Sequence, residues 1–201
     1  MSSRKPKITL DTNCIIDIEQ QGEPYPDLQE LIRLYNDQKI HLRIVAISAS
    51  ERMPGGKYAQ NFAEFEEKIA AVGLEKAEVL PCIAYSDVTF LDRCLLASDE
   101  MVVLERKIHE ILFPRIEYDY REFSAKRGID QSITPTDSKW RNAKCDVFGM
   151  WCHITFEGDV FVTSDFNFHR QTKKPALIAL GAGDILTPKD AVAKLITQPS
   201  L

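Results

Sequence analysis

The sequence predicts an α/β protein. Short apolar runs rich in β-branched residues alternate along the chain with amphipathic stretches of helical period. Glycine and proline fall between these runs, at Gly22, Pro24 and Pro26, at Pro54-Gly-Gly56, at Pro114 and at Gly158.

The elements follow in order. Lys7 to Leu10 reads as a first strand leading into a helix from Thr12 to Glu19, with Cys14, Ile15 and Ile18 at helical spacing. Asp27 to Asn36 predicts a second helix with Leu28, Leu31, Ile32 and Tyr35 on one face, and Ile40 to Ile47 a second strand. A helix is expected from Ser48 to Met53 and another from Tyr58 to Val72. Ala77 to Ala84 predicts a strand interrupted by Pro81. Asp99 to Phe113 predicts a helix that Pro114 stops, and Ile116 to Pro135 a polar, loop-like stretch with one short helix. Ser138 to Thr155 predicts a long helix with Trp140, Ala143, Val147, Trp151 and Ile154 facing the core. Val160 to Thr163 reads as a buried strand and Pro175 to Leu180 as a last strand. Thr187-Pro188-Lys-Asp190 is a helix start, with an N-cap, proline in the first position and an acid in the first turn.

Bulk properties narrow the function classes. The 201 residues fit one domain, long enough to bury a core without disulfide or metal staples. The net charge of −5 argues against a nucleic-acid coating protein with a broad basic surface. It does not argue against a nuclease, because catalytic acids add negative charge that a divalent cation reverses locally. The five cysteines, odd in number and without a CxxC pair, point to reduced, largely buried thiols rather than disulfides or a zinc site. The four histidines show no paired ligand spacing. No apolar run has bilayer-spanning length, and the basic start reads as a terminus before a strand rather than a signal peptide. A cytoplasmic protein without membrane association is the expectation.

Four acids occupy special places. Asp11 follows the first strand, Glu51 lies just past the second, Asp146 is on the long helix, and Asp165 follows the strand after it. In an open α/β sheet, ligands bind beyond the carboxyl ends of the strands. Each acid also has a plain structural reading. Asp11 can cap the helix it precedes, Glu51 can complete a capping box with Ser48, Asp146 can be a helix boundary residue, and Asp165 a turn residue. Clustered carboxylates repel one another, so they gain protons or a cation. Hard divalent cations such as Mg²⁺ or Mn²⁺ take oxygen ligands and leave positions for substrate phosphate. The implied chemistry is metal-assisted phosphodiester hydrolysis.

The segments around these acids resemble the PIN-domain nucleases. Ile8-Thr-Leu-Asp-Thr-Asn13 with Ile15-Ile-Asp17 is similar to that family's opening motif. Ile47-Ser-Ala-Ser-Glu51, Cys145-Asp146 and Phe161-Val-Thr-Ser-Asp165-Phe-Asn167-Phe168 stand where the family places its further acids, and Leu186 to Ala191 resembles its last helix entry. The resemblance implies a single PIN-like domain over 1–201, a three-layer α/β/α fold with a mainly parallel central sheet. It implies that Asp11, Glu51, Asp146 and Asp165 hold Mg²⁺ or Mn²⁺, supported by Asn13, Asn167, Thr163 and Ser164. It implies an endoribonuclease acting on RNA, with Arg52, Lys57, Lys144, Arg170 and Lys173 as candidates to hold the backbone. A toxin with an antitoxin partner, a housekeeping enzyme and a homodimer are all compatible with it. Asn167 stands where many members carry another Asp, Lys144-Cys145 precede Asp146 where small residues are common, and 74–137 is longer than in compact members and reads as an insertion. The competing class is a non-catalytic PIN-like module that binds RNA or a protein. A phosphotransferase with an aspartyl nucleophile needs a second Asp where Asn13 stands, and a dinucleotide fold needs a GxGxxG that is absent.

Overall fold

The computed structural model describes residues 4–51, 59, 61–130 and 136–197. Its strands are β1 (Lys7–Leu10), β2 (His41–Val45), β3 (Glu78–Leu80), β4 (Cys82–Ile83), β5 (Cys94–Leu95), β6 (Val160–Val162) and β7 (Asp184–Leu186). Its helices are α1 (Thr12–Gln20), α2 (Tyr25–Asn36), α3 (Phe62–Ala71), α4 (Asp99–Leu112), α5 (Tyr120–Arg127), α6 (Ser138–Thr155), α7 (Phe166–His169), α8 (Lys174–Ala179) and α9 (Pro188–Thr197). Five strands form one sheet in the order β3-β2-β1-β6-β7, every neighbouring pair parallel. The predicted three-layer α/β/α architecture is therefore the observed one.

Strand alternation divides the core between the two faces. Ile8 and Leu10 of β1, Leu42 and Ile44 of β2, and Val160 and Val162 of β6 face α1, α2, α3 and α9. Val45, Phe161 and Ile185 face the other way, into a cluster with Ile108, Leu112, Val147, Trp151 and Leu177. Sheets buried on both faces carry such near-continuous apolar strands. The exceptions on the α6 side are polar: Arg43 of β2 is buried with an ion pair to Glu78 at 3.5 Å but no hydrogen bond among the described residues, whereas Thr9 and His153 are paired. His153 is fully buried, with Nδ1 2.9 Å from the Thr9 hydroxyl and Nε2 2.7 Å from the Ala182 carbonyl. The carbonyl can only accept, so Nε2 carries the proton and Nδ1 accepts from Thr9. Burial first of all pushes this imidazole down to about 4, consistent with a neutral core histidine. A Cβ at Gly158 would sit 2.2 Å from that ring, so only glycine fits the chain there.

Two expectations need correction. Pro175 to Leu180 is not the last strand but lies in and just after α8; the last strand is β7. Pro175 is in the first turn of α8 and only Leu177 of that helix is buried, a one-sided pattern that a six-residue run leaves ambiguous in sequence. The second strand ends at Val45, and Ala46–Ser50 forms a buried 3-10 turn instead of the start of a helix. The rest of the helix expected to Met53 lies outside the described residues. Within 74–137, Leu74 is in the core and β3 completes the sheet beside β2. After Leu80 come β4 and β5, which pair with each other, and α4 and α5; α4 packs on α6. No helix among the described residues is long and apolar enough to cross a membrane.

Candidate metal centre

Sheet order fixes where a site can form. The chain builds β1, β2 and β3 outward on one side, then returns to place β6 and β7 on the other. The order thus reverses between β1 and β6, and the crevice at that switch opens at their carboxyl ends. Asp11 leaves β1 there and its N–H donates to Val162 of β6, 2.9 Å away. Asp165 lies three residues beyond β6.

The Asp11 carboxylate is held from three sides. Oδ1 accepts from Thr12 N at 2.8 Å, which caps α1. Oδ2 accepts from Thr163 Oγ1 at 2.6 Å and Asn13 Nδ2 at 2.8 Å. Asn13 Oδ1 in turn accepts from Ser164 N at 3.1 Å, and Thr163 Oγ1 from Asp165 N at 3.0 Å. Asn13, Thr163 and Ser164 therefore stitch the two strand ends together around Asp11. The structural reading of Asp11 also holds: it is a helix cap. Asp165 likewise caps α7, accepting from Asn167 N at 2.8 Å. The two readings are compatible, because a cap uses one oxygen and leaves lone pairs.

Glu51 does not form the capping box with Ser48. Thr12 Oγ1 lies 2.5 Å from Glu51 Oε1 and 2.7 Å from Ser48 Oγ. When Glu51 is ionised, the one Thr12 proton goes to the carboxylate and Thr12 accepts from Ser48. This hydroxyl draws Glu51 toward Asp11, and sequence reasoning did not single it out; its place directly after Asp11 was the available signal. Asp146 projects from α6, and its side chain makes no hydrogen bond or ion pair with another described residue.

The acids feel one another. Burial pushes the Asp11 carboxyl up to about 6, against the hydrogen bonds from Thr163 and Thr12, with Asp165 adding to the rise. Burial and then the Asp11 charge push Glu51 up to about 8. Asp146 stands well above the usual carboxylate range through burial and the charges of Glu51, Asp11 and Asp165, partly opposed by Lys173. Among the described residues, none of the four is in an ion pair.

No family model, curated protein or solved structure matches this chain. The site is therefore read from its own chemistry.

The donor set suits a hard divalent cation in kind: oxygen ligands, uncompensated charge, and no thiolate among the four. Two buried polar atoms beside it, Ser50 Oγ and Asn167 Nδ2, lack a protein partner among the described residues, which leaves donors for water or ligand. Among the described residues, no three His, Cys, Asp or Glu side chains already converge as ligands. A Mg²⁺ ion usually keeps several waters and takes one or two carboxylates directly, so a closed protein cage is not required.

The predicted basic residues separate. Lys144 is removed from the candidate list. Its Nζ is buried 2.6 Å from Glu105 Oε1 and 3.9 Å from the centre of the Tyr118 ring, on the side of α6 that faces α4. Lys173 does stand at the site's margin, its Nζ bonded to Asn167 Oδ1 and, at 2.5 Å, to the Leu112 carbonyl. Arg170 is exposed, its guanidinium 5.9 Å from the centre of the Phe166 ring. Arg52 and Lys57 lie outside the described residues. Phe166, next to Asp165 and 71% exposed, was missed in the sequence, where it looks like one more apolar residue.

The raised carboxyls fix a stability prediction. The folded state keeps protons that the unfolded chain releases between about pH 4 and about pH 8. Unfolding therefore releases protons in that window, so the cluster's contribution to stability falls as pH rises through it. A bound cation replaces those protons. Scanning fluorimetry should show Mg²⁺ or Mn²⁺ raising the melting temperature more near pH 8 than near pH 5. At a hundredfold excess over Kd the gain is about 2.7 kcal/mol, or roughly 5–10 °C. A shift that is absent, or equal at both pH values, removes the metal centre.

Proposed function

We propose that the protein is a metal-dependent endoribonuclease that hydrolyses RNA phosphodiester bonds with Mg²⁺ or Mn²⁺ held by Asp11, Glu51, Asp146 and Asp165. The observation that carries the reading is the electrostatic coupling of acids from separate parts of the chain near the sheet's switch crevice: Asp11, Glu51 and Asp146 are raised by burial and by the charges of one another and of Asp165. Structural needs alone account for Asp11 and Asp165 as caps; they give no reason for Glu51 and Asp146 to lie within reach of those charges. The choice of RNA rests on the motif resemblance to PIN-domain nucleases.

When bound, the cation would supply an activated water and charge stabilisation on phosphate oxygens. The chain's own residues do the rest. Asn13 and Thr163 fix the Asp11 carboxylate, and Thr12 fixes Glu51. In the metal-free protein Glu51 keeps its proton at neutral pH, and this proton must leave when a cation is bound. The exposed Phe166 ring offers a face on which an unpaired base can stack, a contact worth about 1–3 kcal/mol in single-strand binders. Arg170 and Lys173 both follow it in sequence, and their positive charge suits the phosphate backbone.

The test is cleavage of end-labelled RNAs, single-stranded and hairpin, with Mn²⁺ or Mg²⁺ and with excess chelator. Cleavage that needs metal and leaves a 5′-phosphate is expected. Metal-independent cleavage, or intact RNA across the panel in protein shown to bind Mn²⁺, would overturn the reading. Binding without cleavage would point to the non-catalytic module.

A further inference from the structure

We propose that Cys82 and Cys94 form a redox-active thiol pair that closes reversibly to a disulfide, with Cys94 as the attacking thiol. The placement is built by the fold. Each cysteine opens its strand, and the two are direct partners in the parallel β4–β5 pair. In-register neighbours project side chains to the same face, and adjacent strands lie about 4.8 Å apart, within the Cα separation a disulfide spans. The two sulfurs are 3.9 Å apart. A disulfide needs an S–S separation of about 2.05 Å, so the two sulfurs must rotate toward each other to close it.

The surroundings assign the roles. Cys82 is buried, 1% exposed, and out of reach of a dissolved oxidant. Cys94 is partly exposed and helps to line an open cleft of about 280 Å³ with Pro81, Asp92 and Arg93. Its sulfur lies 2.9 Å from the Phe90 carbonyl. The hydrogen bond from Cys82 lowers the Cys94 thiol to about 7, whereas Cys82 is raised far above the usual thiol range, first by that same contact and then by burial. Near neutral pH, thiolate is thus concentrated on the accessible sulfur, and thiolate is the nucleophile.

With a peroxide as oxidant the steps balance. The Cys94 thiolate attacks one peroxide oxygen, the O–O bond breaks, and the hydroxide released takes a proton to become water. Cys94 is now a sulfenic acid. The Cys82 sulfur gives up its proton and attacks the Cys94 sulfur; the S–O bond breaks, a second water leaves and the S–S bond forms. Two thiols lose two electrons and one hydrogen peroxide becomes two waters. A dithiol reductant reverses the result.

The pair brackets the segment 83–93, which Arg141 ties to the residue before Glu51. Arg141 Nη1 donates to the Asp87 carbonyl at 2.9 Å while Nε donates to the Ser50 carbonyl, also at 2.9 Å, one residue before Glu51. The chemistry of the pair stands whether or not the nuclease reading does.

The test is a peptide map of the reduced full-length protein after a brief hydrogen peroxide dose and alkylation. The expected product has lost two hydrogens, carries a Cys82–Cys94 cross-linked peptide, leaves Cys14, Cys145 and Cys152 alkylatable only after denaturation, and returns to the thiol form with dithiothreitol. Cys82→Ser should trap a dimedone-reactive sulfenic acid at Cys94; Cys94→Ser should leave Cys82 unoxidised at the same dose. A cross-link between other cysteines, over-oxidation of Cys94 without cross-link, or a cross-link that forms only in denaturant overturns the proposal. The wild-type map decides it even if a serine variant does not fold.

Discussion

Replacing Asp11 by Asn will lower metal-dependent RNA cleavage by on the order of a hundredfold or more while the fold persists. Loss of groups that merely orient metal ligands costs about 10–100-fold, and Asp11 is the most firmly held of the acids themselves. The amide keeps the shape but brings an N–H₂ toward donors, either Thr12 N or Asn13 Nδ2. A stability loss of about 1 kcal/mol, that of a weakened helix cap, should accompany it. Asp146→Asn separates the two effects. No described residue hydrogen-bonds to that carboxyl, and burial beside three acids raises its pKa. Neutralising it removes repulsion at the cost of the weaker Lys173 attraction and breaks no hydrogen bond among the described residues. Activity should fall as for Asp11→Asn, but the metal-free protein should melt higher, by about 2–4 °C for each kcal/mol relieved. Lower activity with higher stability is the signature of an acid kept for function. Asp146→Asn that cleaves as well as wild type would remove Asp146 from the site, and one that melts lower would mean its carboxylate is structural.

Much of this was legible in the sequence, and the misses share physical causes. The long, strongly periodic α6 was bounded correctly because eighteen residues give the helical pattern several turns to repeat. The strand ends at Asp11 and Asp165 were legible because β-branched runs stop there. Segment 175–180 was misread because one turn and a half of apolar residues fits both periods. Thr12 and Phe166 were missed because their roles exist only across the fold: one hydroxyl bridges α1 to the turn after β2, and one ring is exposed where composition suggests burial. The helix period sets Lys144 apart from Asp146. Lys144 is two residues before Asp146 on one helix, hence roughly 200° around the axis, so the two cannot face the same crevice.

That geometry sets the second large effect. Glu105→Gln will strip the countercharge from a fully buried lysine. The Lys144 ammonium, 1% exposed, is held by Glu105 at 2.6 Å and packed against Tyr118, whose hydroxyl donates to the other Glu105 oxygen. Removing one partner of such a pair costs about 3–5 kcal/mol, or roughly 6–20 °C in a chain of this size. Burial already holds the Lys144 pKa below its ordinary value, and Glu105 is the first-ranked influence opposing that. Without it the folded state binds fewer protons than the unfolded chain. Unfolding then takes up protons, and the variant recovers stability as pH rises toward the ordinary lysine value. Replacing both residues, Glu105→Leu with Lys144→Met, should restore most of the loss at neutral pH, because an apolar pair of similar volume needs no desolvation. The double variant also decides the role of Lys144. Facing α4 rather than the crevice, it can be lost with cleavage and RNA affinity within about twofold of wild type, since substitutions outside a site leave its transition-state contacts intact. A large loss of RNA affinity in a folded double variant would return Lys144 to the substrate path and require α6 to turn in solution.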